Sequence, residues 1–331
     1  MALIKLNNRS SEDNAIHGRR NLIINGDYSV NQRGVISSSA TSISSNQYII
    51  DRWWLRKSSS TSNNVSLLED QSVTGLTSLT NVLKLENFND SAWVGQYVEI
   101  ATNKFISNQQ VTVSFYAKAD ANLSGFSVFL HTGGGDGGDH GAPYFTQNET
   151  VTTSWQRFTY TMTVGTLAND SAGGYLTLGF GQADTDTSLY LAGVQLEVGS
   201  VATPFEHRSY GEELSLCQRY YYNHITAGSG SEALVTTATS YNSTSAYCGV
   251  RFPVTMRSIP TIRQYNATDA WQYYNNNQSD RFNSFSMFGA SQSSINQAMI
   301  NNGQGMSITA GQSGNFQGGN SACYLHFDAE L

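Results

Sequence analysis

Charge is what this sequence has least of. Asp, Glu, Lys and Arg supply 13% of its 331 residues, against roughly 25% in ordinary soluble domains. The formal balance is −7 and no basic run with interleaved aromatics occurs, so the basic face of a general nucleic-acid binder is missing. Cysteine is scarce too. Cys217, Cys248 and Cys323 are odd in number, far apart and never in CxxC spacing, which argues against a disulfide framework or a zinc site and for buried free thiols. No apolar run approaches the ~18 residues of a membrane span, so no membrane insertion is expected. The apolar stretch at the start, within residues 1–9, is too short for a signal peptide. Helical periodicity is hardly visible.

What fills the gap is Ser, Thr, Asn, Gln and Gly, with 18 Tyr and 15 Phe. Thr and aromatic residues fit a pleated, half-buried face. From residue 21 onward, short apolar or alternating runs are separated by turn chemistry: Asn21–Ile24, Tyr48–Leu55, Val82–Leu85, Trp93–Ile100, Val111–Ala117, Phe126–Leu130, Trp155–Val164, Tyr175–Phe180 and Leu189–Val198. Val111–Ala117 and residues 158–164 alternate with period two, as half-buried strands do. So many strands in under 200 residues predict a two-sheet sandwich or jelly roll.

Pro204 and residues 206–211 break the rhythm, and 212–222 is the best helix candidate. Strands resume near 234–238, 247–253, 261–265, 284–290, 306–310 and 322–328, with 275–278 and 311–320 as polar loops. The expected fold is all-β: a jelly-roll β-sandwich over 21–208, then a smaller β-sandwich-like domain over 209–331. An extended arm, 1–20, precedes them. Within it Leu3, Ile4, Lys5, Leu6 and Arg9 are the candidates for anchoring, by adding a strand to another chain's sheet edge.

Three groups of residues carry a family resemblance. Residues 20–28 read Arg-Asn-Leu-Ile-Ile-Asn-Gly-Asp-Tyr, 31–34 read Asn-Gln-Arg-Gly, and 48–53 read Tyr-Ile-Ile-Asp-Arg-Trp. Val111–Lys118, the Gly-rich stretch 133–141 and Trp155-Gln-Arg-Phe158 keep the order. Residues 192–206, followed by 213–221, make the most specific match. This text resembles the jelly-roll modules of phage tail-fibre proteins, which are similar in turn to carbohydrate-binding modules. The resemblance implies a virion protein, made in a bacterial cytosol and released by lysis. Its partners would be other virion proteins through the arm, further copies of itself, a trimer by expectation, and host surface glycan. A head decoration or purely structural particle protein is the alternative. Relatives that hold a structural calcium have an acidic residue where Leu191–Val194 stands here without one.

No enzyme is expected. A glycan-cleaving spike would need two carboxylates ~5–9.5 Å apart across a groove, and Glu69/Asp70, Glu86/Asp90 and Asp184/Asp186 sit in ordinary turn contexts. No cofactor is expected either. Asp136, Asp139 and His140, in the single Gly-Gly-x-Gly-x-Asp match at 134–139, are the only set suggestive of a Ca2+ ion, and such units need tandem copies to build sites. Along Trp93–Ile100, Val94, Val98 and Ile100 fall on one face, and Trp93, Gly95 and Tyr97 on the other. With the first set in the core, Trp93 and Tyr97 form an outward pair suited to stacking on a sugar or to a subunit contact. Trp271 and Tyr273, beside Asn275–Asn277, pose the same choice further on.

Overall fold

The computed structural model describes residues 20–57, 63–70, 72–73, 81–88, 92–99, 106–133, 143–167, 175–182, 187–228, 232–275, 278–288, 292–303 and 305–330. It divides into two compact units, the first ending at Glu213 and the second running Leu214–Glu330.

The first unit is a sandwich of two antiparallel sheets. One runs β1 (Thr41–Ile43), β4 (Asn63–Glu69), β5 (Asn81–Glu86), β12 (Leu189–Val198), β7 (Gln110–Ala119), β10 (Gln156–Thr163). The other runs β2 (Gln47–Ile50), β3 (Trp53–Arg56), β6 (Trp93–Glu99), β11 (Tyr175–Gln182), β8 (Leu123–Gly133), β9 (Pro143–Val151). The chain crosses repeatedly from one sheet to the other, as in a jelly roll, and only the hairpins β2–β3, β4–β5 and β8–β9 stay within a sheet. Period-two alternation sends Val111, Val113, Phe115 and Ala117 into the shared core, where Phe115 packs on Phe158 and Phe180 with ring centroids 5.4 and 5.0 Å apart.

The expected first strand, Asn21–Ile24, enters no ladder. Apart from one backbone bond, Leu22 N–H to Leu196 O at 2.8 Å, its backbone is held by distant side chains. The Asn21 amide donates to Val194 O (3.1 Å) while its Oδ1 accepts from the Ile23 and Leu196 N–H groups, at 3.0 Å each. Gln96 bonds both ways to Ile24, 2.9 and 2.7 Å. Asn25 Nδ2 donates to Val30 O and Asp51 O, and its Oδ1 accepts from Val30 N–H. These contacts plug the irregularity where β12 shifts register between Ala192 and Gln195. Gly26 is required there, because a Cβ would stand 2.2 Å from Val194 O.

Arg208 closes this knot. Its guanidinium donates to Ile23 O and Asn21 O and pairs with Glu206 and Glu213. Burial acts to raise the Glu206 carboxyl, but the N–H groups of Asn21 and Arg20 and the Arg208 charge outweigh it and hold the group below the usual carboxylate range. At Glu213 burial wins over the same guanidinium and the Asn25 N–H, and pushes the carboxyl up.

The helix α1 (Tyr210–Gln218) begins two residues before its expected start. Ser209 caps it, its Oγ accepting from Glu212 N–H at 3.3 Å, in the Ser-x-x-Glu pattern of a capping box. Tyr221 and Tyr222 belong to the following strand.

In the second unit, β13 (Tyr221–Ile225), β22 (Leu325–Asp328) and β16 (Thr261–Gln264) form a small sheet. A larger one runs β18 (Gln278–Phe282), β17 (Trp271–Asn275), β21 (Ser313–Gly318), β14 (Leu234–Ser240), β15 (Ala246–Arg251), β20 (Gln297–Asn302), β19 (Phe285–Met287). The expected loop 311–320 therefore contains an interior strand, β21, and the expected strand 306–310 is instead a loop whose Met306 and Ile308 N–H groups donate to Thr244 O and Ser243 O. All three cysteines are free and buried. Burial pushes the Cys248 thiol up to about 12.

Two predictions follow from the knot. Asn25→Asp keeps the acceptor for Val30 N–H but removes the donor from two buried carbonyls, so urea denaturation of the full chain should show a loss of about 2–4 kcal/mol. Glu206 has a depressed folded pKa, so its contribution is complete above the ordinary carboxylate range and is lost as pH falls through the folded value. Glu206→Gln should therefore be less stable than the parent at neutral pH, with the gap closing in acid.

Candidate functional site

The outer face of a solvated antiparallel sheet is ordinarily polar. On the sheet that carries β6 it is aromatic. Cross-strand register sets Trp54, Gly95, Gly179 and Phe129 in one row over β3, β6, β11 and β8. The adjoining rows hold Trp93 with Gly181 and Ser127, and Tyr97 with Thr177 and His131. Two further rings extend the patch: Tyr48, opposite Trp54, and Tyr175, opposite Glu99.

The glycines explain how so many rings fit. A Cβ on Gly179 would sit 2.1 Å from the Phe129 ring, and one on Gly95 would meet Leu178 O at 2.3 Å and the Trp93 ring at 3.1 Å. The glycine track lets the rings lie down on the sheet, where they join edge to face: Trp93–Phe129 at 5.6 Å, Trp93–Tyr97 at 6.2 Å and Tyr48–Trp54 at 5.0 Å. Tyr97 and Tyr175 stand 4.5 Å apart. Arg33 stacks over the Tyr48 ring at 4.7 Å, a cation–π contact. Such pairs add about 0.5–1.5 kcal/mol each beyond area burial.

Trp93 and Tyr97 do face away from Val94 and Val98, but they are not an exposed pair. They are 6% and 9% exposed, within a satellite cluster with Tyr48 and Tyr175. Trp54, Phe129 and His131 are the half-buried members, and the sequence reading did not single out Phe129 or His131. The signal for them is period two along Ser127, Phe129 and His131 opposite a run of glycines, Gly179 and Gly181.

Trp271 and Tyr273 require a correction. Trp271 is fully buried, donates from Nε1 to Tyr265 O at 3.0 Å and packs on Phe285. Tyr273 is 2% exposed, with its hydroxyl on Gln312 O. Both are core residues of the second unit, because β17 is an interior strand whose inward face they occupy, and neither ring can reach a ligand.

The remaining candidates are dispersed. Leu3, Ile4, Lys5, Leu6 and Arg9, like Asp136, Asp139 and His140, lie outside the described residues. Among the described residues no group of three or more His, Cys, Asp or Glu is placed to hold a metal ion, and no helix is long and apolar enough to cross a membrane. Asp27 Oδ1 accepts from Ser29 N–H, the bond of a turn. Of the carboxylates weighed for catalysis, Asp70 binds Lys118 and Ser72 and accepts from Trp155 Nε1. Burial acts upward on it, but the Ser72 and Lys118 hydrogen bonds and the Lys118 charge outweigh it and hold the carboxyl well below the usual range. Glu86 is paired with Lys84 at 2.6 Å.

The sequence matches no protein-family model and no curated protein sequence. Among solved structures, the chain is similar to a CBM22-1 xylan-binding domain from Paenibacillus barcinonensis, at 17% identity over 50% of this chain and 99% of that one, TM-score 0.32. It is similar to TmCBM61 in complex with beta-1,4-galactotriose, at 11% identity over 55% of this chain and 100% of that one, TM-score 0.31. It is also similar to the enzymatically active domain of tailspike protein 4 from bacteriophage CBA120, at 12% identity over 54% of this chain but 21% of that one, TM-score 0.37. These are similarities of strand arrangement.

The close fit of Phe129 over Gly179 generates a prediction. Gly179→Ala must displace the ring, an overpacking that costs about 1–3 kcal/mol. Thermal denaturation should show the loss, and the tryptophan fluorescence of the folded protein should shift as Phe129 leaves Trp93.

Proposed function

We propose that this chain is a non-enzymatic structural and adhesive component of a bacteriophage particle, a tail fibre or related surface component, that binds host surface glycan on the aromatic face of its jelly-roll unit. The observation that carries the reading is the ring-covered outer sheet face, with Trp54 and Phe129 at its accessible margin. Aromatic faces stack on the apolar C–H faces of sugar rings, and the half-buried rings of Trp54 and Phe129 are the ones such a sugar would meet. Residues 20–28, 31–34, 48–53, 192–206 and 213–221, which carry the resemblance to phage tail-fibre modules, support the particle assignment. In this reading the arm 1–20 anchors the chain, the β units face outward, and a trimer multiplies weak sites into avidity.

The low exposure of Trp93 and Tyr97 favours one alternative, a particle protein without a receptor role whose aromatic face serves packing alone. Trp54→Ala separates the two. Under the glycan reading, titration with bacterial lipopolysaccharide and capsular polysaccharide fragments should show binding by the parent, weakened in the variant by about 1 kcal/mol, several-fold in Kd. The melting temperature should fall little beside that of Trp93→Ala, whose more deeply buried ring should cost up to about 3–5 kcal/mol. Binding that is unchanged in Trp54→Ala and in Phe129→Ala would leave the packing role alone.

A further inference from the structure

The outer face of the larger sheet in the second unit differs from the aromatic face in kind. Thr237, Thr239, Gly249, Ser286, Ser313 and Tyr274 on it are all exposed, so the face is open. Its rows are made mostly of amides, hydroxyls and rings. Gln272 stands opposite Gln317; Asn315 stands between Tyr274 and Thr237; Asn301 stands between Tyr247 and Ser286. Charged side chains on these strands' outer rows are Arg281, opposite Gln272 on the edge strand β18, and Arg251, opposite Gln297 at the end of β15, two residues beyond Gly249.

Two observations point to a ligand. Among the described residues the side-chain amides of Gln272, Asn315, Gln317, Asn301 and Gln297 make no hydrogen bond to protein, although they stand on neighbouring strands of one face. Each amide offers both a donor and an acceptor, the pairing that vicinal hydroxyl groups take up. The second is Gly249. A glycine in a strand interior weakens the strand, and it usually marks a bulge or a close approach. Neither a positive φ nor a neighbour requires it here, since nothing stands within 4 Å of the Cβ it lacks. It leaves a flat gap beside Tyr247, which itself joins the 73%-exposed Tyr241 and Phe288 in a row of rings, 5.5 Å apart at each step.

We infer that this face is a second binding site, for a neutral, hydroxyl-rich oligosaccharide laid across the gap at Gly249, with Tyr247 as its apolar wall and the amides of Asn315 and Gln317 bonding its hydroxyls. Leu234, 57% exposed opposite Gln317, and Met299, opposite Gly249, are too few to form the apolar centre a protein partner would call for, and Arg251 is a lone cation beside the gap where a polyanion would call for several. The site belongs to the second unit, and the proposal does not depend on the aromatic face of the first.

The test uses the full chain and a panel of neutral hexasaccharides of glucose, mannose and galactose, with hexagalacturonate as the acidic arm, read by calorimetry. Gly249→Val fills the gap with a residue suited to a strand and should keep or raise the melting temperature. The double variant Asn315→Ala, Gln317→Ala removes amides that hold nothing in the protein, and keeps the test decisive if Gly249→Val fails to fold. The expected result is binding of at least one neutral sugar, weakened tenfold or more in both variants, preserved in Trp54→Ala, with oligomer mass unchanged. No neutral sugar bound at millimolar concentration would overturn the proposal, as would tighter binding of hexagalacturonate. Binding lost in Trp54→Ala but indifferent to Gly249→Val and to the double variant would overturn it while supporting the aromatic face. A Gly249→Val chain with altered oligomer mass and unaltered sugar binding would make this face a contact between copies instead.

Discussion

Everything in the jelly-roll unit hangs on a stretch of backbone that belongs to no sheet. Residues 21–25 run through the interior as an irregular segment, and buried backbone polar groups without partners are rarely tolerated. Here, besides the Leu22 N–H bond to Leu196 O, those partners are side chains far along the chain: Asn21 bonds at Val194 and Leu196, Gln96 at Ile24, Trp53 Nε1 at Asn25 O, Arg208 at Ile23 and Asn21, Glu213 at Asn25. A segment satisfied in this way can exist only when both ends of the unit have come together. It is therefore a closure as well as a filler. The same logic ties in Asp51, whose carboxylate accepts from the Gln32 backbone and amide while its carbonyl accepts from Asn25.

The closure reaches the aromatic face through single residues that alternate between the two sides of the sheet. Gln96 binds the irregular segment inward, and its neighbours Gly95 and Tyr97 lie on the outer side. Trp53 points into the core, packing on Tyr28 at 5.0 Å, so Trp54 must point out. Arg52, buried beneath them, has a left-handed backbone, φ 68°, and bonds Tyr97 O at 2.5 Å. The rings are thus positioned by a rigid polar framework on the far side of the strands that bear them. Preorganisation of this kind lowers the ordering cost of any contact the face makes.

How much of this is legible in the sequence depends on which physical signal a residue carries. The alternation in Val111–Ala117 and the run Leu189–Val198 identify core strands directly, because both faces or every second residue are apolar. β4 and β9 escape for the opposite reason: Asn63-Asn-Val-Ser-Leu-Leu-Glu69 and the polar text of 146–150 do not alternate cleanly, and β9 lies at a sheet edge. β21 shows the limit more sharply. Ser-Gly-Asn-Phe-Gln-Gly reads as a loop, yet Gly314 is there because the Tyr273 ring and Tyr274 O occupy the place of its Cβ, and Phe316 alone supplies the core contact. Misreading β21 also misplaces Trp271 and Tyr273, since only a strand hydrogen-bonded on both sides makes them interior. Burial of Trp93 and Tyr97 is likewise invisible to period two, which tells which face a residue is on but not what else shares that face.

Period two finds the face of the first unit because it is made of large residues. It cannot find the open face of the second, where the informative residues are an uncommitted amide and an unneeded glycine. The two faces also differ in what they resist. Rings on glycines form a cohesive apolar layer that contributes to stability whether or not a ligand is present, so that face is under constraint from folding itself. Amides such as Asn315 and Gln317, which hold nothing in the protein, gain little for the fold by being where they are, and exposed Thr or Val would suit a strand better. A sheet that places low-propensity amides and a glycine on its solvent side, while its inner side is packed with Trp271, Phe282, Phe285 and Phe316, has an outer surface whose composition folding does not explain. That residue choice is where an argument for binding has to start, because stability cannot account for it.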